Sequence, residues 1–277
     1  MNIWVAILQI LNAQMEVPAL FGWFHLLWLA IMVAASVLLG LWSKKAKKEH
    51  IDKFVLVMAI VTIGLEVYKQ INYTFGDGSS APSYSWYAFP WQFCSTPMYI
   101  GLLAGLLRKG KIYDSLCAYL ATFALFAGLA VMLYPGNVFV ETIGINIQTM
   151  VCHGGMVVTA SVLLASGHAP IQFKTLLKAV PVFVVTLGIA MIMNEVAYQT
   201  GLLENHNFNM FYVSPYLEGT LPIYSQVQTM VPYPVGLAIY VVGFTAAAGI
   251  MLCGAKGIQA LVQKRKALAA TKEQVSA

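Results

Sequence analysis

The sequence predicts an all-α polytopic membrane protein: a seven-helix transmembrane bundle with its N-terminus outside and its C-terminus cytoplasmic. Three observations carry this expectation. The 277 residues are 59% hydrophobic and only 10% charged, with a mean hydropathy of +0.73; soluble chains average about 25% charged residues. Seven apolar stretches can be marked off, Phe21–Trp42, Phe54–Tyr73, Phe89–Leu107, Ile112–Leu133, Ile145–Ala165, Leu177–Tyr198 and Val231–Leu252. Each is close to the ~20 residues an α-helix needs to cross a bilayer core. Threading the chain back and forth through them leaves 15 of the 16 Lys and Arg residues on one side.

Taken in order, residues 1–20 form an amphipathic segment suited to the outer interface, without the basic start of a cleavable signal. Residues 21–253 form the transmembrane domain. Its first inner loop holds Lys44, Lys45, Lys47, Lys48 and Lys53, its second Arg108, Lys109 and Lys111, and its third Lys174 and Lys178. The tail, residues 254–277, adds Lys256, Lys264, Arg265, Lys266 and Lys272, and is expected to be a frayed amphipathic helix ending in disorder. Only Lys69 falls outside, whereas Glu16, Glu66, Asp77, Glu141, Glu195, Glu204 and Glu218 lie there. Positive charge on the cytoplasmic side sets the orientation. The pI of about 8.9 therefore reflects loops beside anionic lipid and implies no nucleic-acid partner. The outer connections Thr74–Ala88 and Gly201–Met230 are long and rich in turn formers, and long loops on compact proteins tend to carry function.

Ionisable groups inside membrane helices are costly and default to functional hypotheses. His25, Glu66, Lys69, Cys94, His153, Asn194 and Glu195 come from five of the apolar stretches. At 1.5 Å of rise per residue all fall within roughly 12 Å of the outer ends. That asymmetry points to one outward-facing site. Each residue also has a plainer reading. Glu66 and Lys69, spaced i,i+3, neutralise each other; His25 and Asn194 hydrogen-bond neighbouring helices; Glu195 is solvated. Cys94 and Cys152 both lie in outward halves, with a disulfide between them as the alternative to free thiols.

The segment Phe89-Pro90-Trp91-Gln92-Phe93-Cys94-Ser95-Thr96-Pro97 predicts a helix with Pro90 in its first turn. The Cys94 thiol would then follow near the positive end of the dipole. Pro97 would leave the carbonyl of Phe93 without its helical donor. His153 lies in Val151-Cys152-His153-Gly154-Gly155, where two glycines permit close approach of a helix or a lipid chain. A thiol and an imidazole at similar depth suit nucleophilic acyl transfer, although each is also a common structural filler.

These residues resemble the YwaF-like integral membrane proteins, bacterial relatives of transmembrane protein 164, an animal phospholipid acyltransferase. The resemblance rests on Phe24-His25-Leu26, on Pro90 to Cys94, on His153, on Asn194 and on Asn207-Phe208-Asn209-Met210, and covers most of residues 20–255. Gln92 departs from it, since relatives often carry histidine there. The resemblance implies a lipid acyltransferase or transacylase in a bacterial cytoplasmic membrane, with Cys94 and His153 as the catalytic pair. Its partners would be a membrane phospholipid and a lysolipid, with no metal or cofactor. His25, Glu66, Lys69, Asn194, Asn207 and Asn209 are candidates for holding the substrate. The alternative is a non-enzymatic lipid- or solute-binding transporter or sensor built on the same polar groups. A retinal protein is disfavoured because Val231–Leu252 has no lysine. A zinc enzyme is disfavoured because His25, His153 and His206 lack ligand spacing.

Overall fold

The computed structural model describes residues 3–76, 82–201 and 207–276. Asp77, Glu204 and His206 lie outside the described residues. The described chain is all-helical: α1 Ile3–Leu11, α2 Trp23–Ser43, α3 Lys48–Phe75, α4 Thr96–Leu107, α5 Lys111–Ala121, α6 Phe123–Leu133, α7 Ile143–Ala165, α8 Phe173–Gln199, α9 Tyr224–Met230 and α10 Tyr233–Ser276. Among these residues five stretches are long and apolar enough to cross a membrane: Trp23–Ser43, Lys111–Leu133, Ile143–Ala165, Phe173–Gln199 and Tyr233–Arg265. The protein is therefore a multi-pass integral membrane protein. Two further expected spans correspond to α3 and to residues 89–107, of which only α4, 12 residues, is helical.

Three expectations are corrected. The fourth span is two helices, because Thr122 leaves helical geometry (φ −127°, ψ −74°). Its hydroxyl donates to Ala118 O at 2.7 Å, the back-bonding that bends helices. The tail from Gly257, expected as a frayed helix ending in disorder, instead continues α10 as helix to Ser276. Its Ala, Lys and Gln residues are strong helix formers. The third span begins its helix at Thr96, as described below.

α7 is the centre of the molecule, packed by α2, α3, α5 and α6. Buried residues fill α5, α6 and α7, while α2, α8 and α10 expose Leu38, Val185, Ile192 and Val242. Such apolar faces suit lipid rather than water. Glycines allow the closest approaches. A Cβ on Gly128 would lie 2.6 Å from His153 O and 2.9 Å from Met156 Cβ, so α6 fits against α7 only without a side chain there. Gly128→Ala is expected to destabilise the protein by about 1–3 kcal/mol, the usual range for overpacking. Gly188→Ala, with nothing within 4 Å of the added carbon, should not. Denaturant unfolding in detergent micelles distinguishes them.

The two ends of the bundle differ in chemistry. At one end Lys48 bonds Asp52 (2.9 Å) and Arg108 O (2.6 Å), Tyr113 donates to Asp52 at 2.6 Å, and Lys178 pairs with Asp114 at 2.8 Å. Burial, with Lys48 nearby, holds His168 below the usual imidazole range. At the other end α1 and the following segment lie across α3 and α7. Tyr68 donates to Leu11 O at 2.7 Å, and Met15 N–H to Glu141 O at 2.6 Å.

Candidate functional site

The backbone ahead of α4 is a chain of turns. Trp91 N–H bonds Phe89 O at 2.7 Å and Ser95 N–H bonds Gln92 O at 2.8 Å. The helix starts only at Thr96, with Pro97 in its first turn, where a missing N–H is harmless. The Phe93 carbonyl that Pro97 cannot serve accepts the Thr96 hydroxyl instead, at 2.9 Å. Cys94 thus stands just before the N-cap Ser95, outside the helix rather than one turn into it. It is half-buried and packs against the main apolar core. All four cysteines are free.

Around Cys94 the structure gathers groups from α3 and α7. Lys69 pairs with Glu66 at 2.9 Å, and Glu66 also accepts from Gln70 at 2.7 Å. Both charges lie within electrostatic range of Cys94 and of Cys152, and Lys69 reaches His153 in the same sense. His153 is buried on α7, and its Nδ1 lies 2.7 Å from Thr149 O. A carbonyl only accepts, so Nδ1 carries the proton and Nε2 keeps its lone pair. That Nε2 is buried and has no hydrogen-bond partner. The Cys94 thiol and the His153 ring thus both lie in the field of Lys69 but are not hydrogen-bonded to each other.

The asparagines do something different. Asn194 receives Met210 N–H at 2.7 Å and donates to Met210 O at 3.0 Å. Asn209 accepts Ser214 N–H at 2.9 Å and donates to Leu217 O at 3.4 Å. Gln92, notable in the sequence only as a departure from the family pattern, accepts Phe211 N–H and donates to Asn209 O, both at 2.9 Å. Tyr240 adds a bond to Phe211 O at 3.0 Å. These four side chains hold a buried loop in which Phe211 and Tyr212 adopt positive φ (58° and 56°), an unfavourable state for non-glycine residues. Their amides serve backbone, so they position the loop beside Cys94. Asn207 is exposed. His25 is fully buried, with Nδ1 accepting Phe21 N–H at 3.0 Å and Nε2 bonding Met132 O at 2.8 Å. It ties α2 to α6 and has no free nitrogen.

Residues 20–253 match the TMEM164 family. The chain belongs to that family. No curated protein and no solved structure matches it.

In this member of the TMEM164 family, several neighbours of the thiol carry no motif that would reveal them. Cys152, Tyr119, Tyr212 and Tyr240 all lie within electrostatic range of Cys94. The Tyr119 hydroxyl is 2.7 Å from Thr96 Oγ1, which itself donates to Phe93 O, so the phenol is the donor. A cleft of about 350 Å³ opens between α3 and residues 90–99. Its lining is apolar through Ile63, Val67, Ile71 and Met98, and Glu66 lies on its wall. Among the described residues no group of His, Cys, Asp and Glu could hold a metal ion.

Proposed function

We propose that this TMEM164-family protein is a cysteine-dependent lipid transacylase with its site toward the outer leaflet. The observation that carries the reading is His153: a buried imidazole with Nδ1–H fixed on Thr149 O and an unpartnered Nε2 lone pair. Buried polar atoms without partners are uncommon and call for a role. An imidazole held in one tautomer is what a general base requires. Cys94, half-exposed and sharing the Glu66–Lys69 neighbourhood, is the nucleophile.

In the first half-reaction His153 Nε2 takes the Cys94 proton, and the thiolate attacks the ester carbonyl carbon of a phospholipid. The tetrahedral intermediate collapses by breaking the bond to the glycerol oxygen, which receives the proton from His153 and leaves as lysolipid. In the second, the acceptor hydroxyl gives its proton to His153 and attacks the thioester. Cys94 departs as thiolate and recovers the proton. Two partial negative charges develop on carbonyl oxygens, and Lys69 supplies the nearby positive charge that stabilises them. The cleft along α3 suits an acyl chain, because its apolar wall leads to Glu66, whose charge acts on the Cys94 thiol. Asn194, Asn209 and Gln92 act as positioning residues through the loop they hold.

The seven-span reading, with α3 and residues 89–107 as the two additional crossings, is supported by the charge asymmetry and by the Lys48–Asp52–Tyr113 cluster at one end. The resemblance of residues 24–26 and 90–94 to YwaF-like bacterial proteins supports a cytoplasmic-membrane location. Two experiments test these points. Incubation with a phospholipid labelled in its acyl chain should give a protein-bound, hydroxylamine-sensitive label that is absent in Cys94→Ala. In a Cys253→Ala background, Lys47→Cys should react with impermeant maleimide only after the cytoplasm is exposed, whereas Thr220→Cys should react in intact cells. Reaction of Lys47→Cys from outside would reverse the leaflet.

A further inference from the structure

A second cleft, of about 260 Å³, lies between the 207–217 loop and the start of α10. Ser214, Tyr216, Glu218, Tyr224, Gln228 and Tyr233 line it. The rings are fixed in place. Tyr216 donates to Glu195 at 2.6 Å and stacks on Tyr198 with centroids 3.6 Å apart. Its hydrogen bond to Glu195 pushes its pKa up to about 12, so the phenol stays neutral at physiological pH. Tyr233 donates to Val213 O at 2.9 Å. Tyr224 is buried and its hydroxyl has no partner at hydrogen-bonding geometry. Gln228, whose amide bonds Gly219 N–H and Tyr212 O, is the polar neighbour of this hydroxyl.

The described segments that build this cleft carry charge of one sign. Between Lys178 and Lys256 the sequence contains no Lys or Arg, while Glu218 lines the cleft and Glu195 bonds Tyr216 beside it. Glu218 is exposed and forms no ion pair among the described residues. Electron-rich rings beside an uncompensated carboxylate form a site for an organic cation. An anion would meet repulsion there, and a purely apolar group would leave the carboxylate uncompensated.

We propose that the cleft lined by Tyr216, Glu218, Tyr224 and Tyr233 binds an alkylammonium group, presented by a zwitterionic lipid headgroup or by a free quaternary amine. Its place in acyl transfer rests on the reading above; the cation binding itself does not. The test is ligand-detected NMR on the full chain in maltoside micelles, with choline and its neutral isostere 3,3-dimethyl-1-butanol as probes. Choline should bind at least about fivefold more tightly than the isostere, the scale of a cation–π contact. Glu218→Gln and Tyr216→Leu should each weaken choline by about threefold to tenfold, while Tyr216→Phe, which keeps the ring, retains affinity. Equal binding of the isostere, or unchanged choline affinity in both Glu218→Gln and Tyr216→Leu, overturns the proposal. Nanodiscs identify the source. Displacement of choline by phosphatidylcholine but not phosphatidylglycerol supports a lipid headgroup, and displacement by neither supports a free amine. Cys94→Ala should bind choline like wild type, so loss of transfer and loss of cation binding are separate results.

Discussion

Cys94→Ser is expected to abolish acyl transfer, leaving turnover at least about a hundredfold below wild type. A serine hydroxyl has almost no anionic form at neutral pH, whereas a thiol is a strong nucleophile with modest help from a base. The substitution removes no packing volume of consequence. Cys94 stands in the turn before α4 rather than in its hydrogen-bonded body, so the fold should survive. Activity is read as movement of a labelled acyl chain from phospholipid to lysolipid in reconstituted vesicles, with lipid binding recorded in parallel. The control is Cys253→Ala, on the exposed side of α10, which should transfer normally. Cys152→Ala is more informative, because Cys152 shares the charged neighbourhood. Retained transfer there assigns the nucleophile to Cys94 alone. Transfer by Cys94→Ser at the wild-type rate sinks the enzyme reading in favour of a lipid- or solute-binding protein.

The pattern of what sequence reasoning reached follows the physics of each feature. Five membrane-length apolar helices and the isolation of Lys69 from other cations are one-dimensional properties, legible from residue order. Local competition was not legible. Pro90 and Pro97 both fit a helix start, and the choice of Pro97 depends on the Thr96 hydroxyl taking over the Phe93 carbonyl. Thr122 carries no breaking signal in the sequence, and its break comes with a back-bonded side chain. Asn194 and Asn209 were candidates for holding the substrate only through the resemblance. In the structure they bond the backbone of the 209–217 loop, an arrangement that exists only in the folded chain. Gln92 was hidden for the same reason: its two bonds reach Asn209 and Phe211. Cys152 was noticed only for a disulfide, and its value as a neighbour of the ion pair depends on how α3 and α7 pack.

His153 and His25 offer the sharper division between chemistry and structure, because both are buried histidines in α-helices with opposite hydrogen-bond inventories. His25 has both nitrogens engaged. His25→Ala leaves Met132 O unpaired in the interior, a loss of about 1–3 kcal/mol. Its expected signature is a lower unfolding midpoint with little change in turnover per folded molecule. His153 has one nitrogen engaged and one free. His153→Ala releases a single carbonyl that already serves the α7 helix, so its effect on stability should be smaller. Its effect on rate should be about 10²–10⁴-fold, the scale of a general acid–base group. Chemical rescue separates this from a structural defect. Added imidazole should restore part of the activity of His153→Ala in proportion to the concentration of its neutral form, and should do nothing for His25→Ala or Cys94→Ser. If His153→Ala keeps turnover within about threefold of wild type, a general-base role is excluded by that same scale, and the unpartnered nitrogen must serve lipid binding instead.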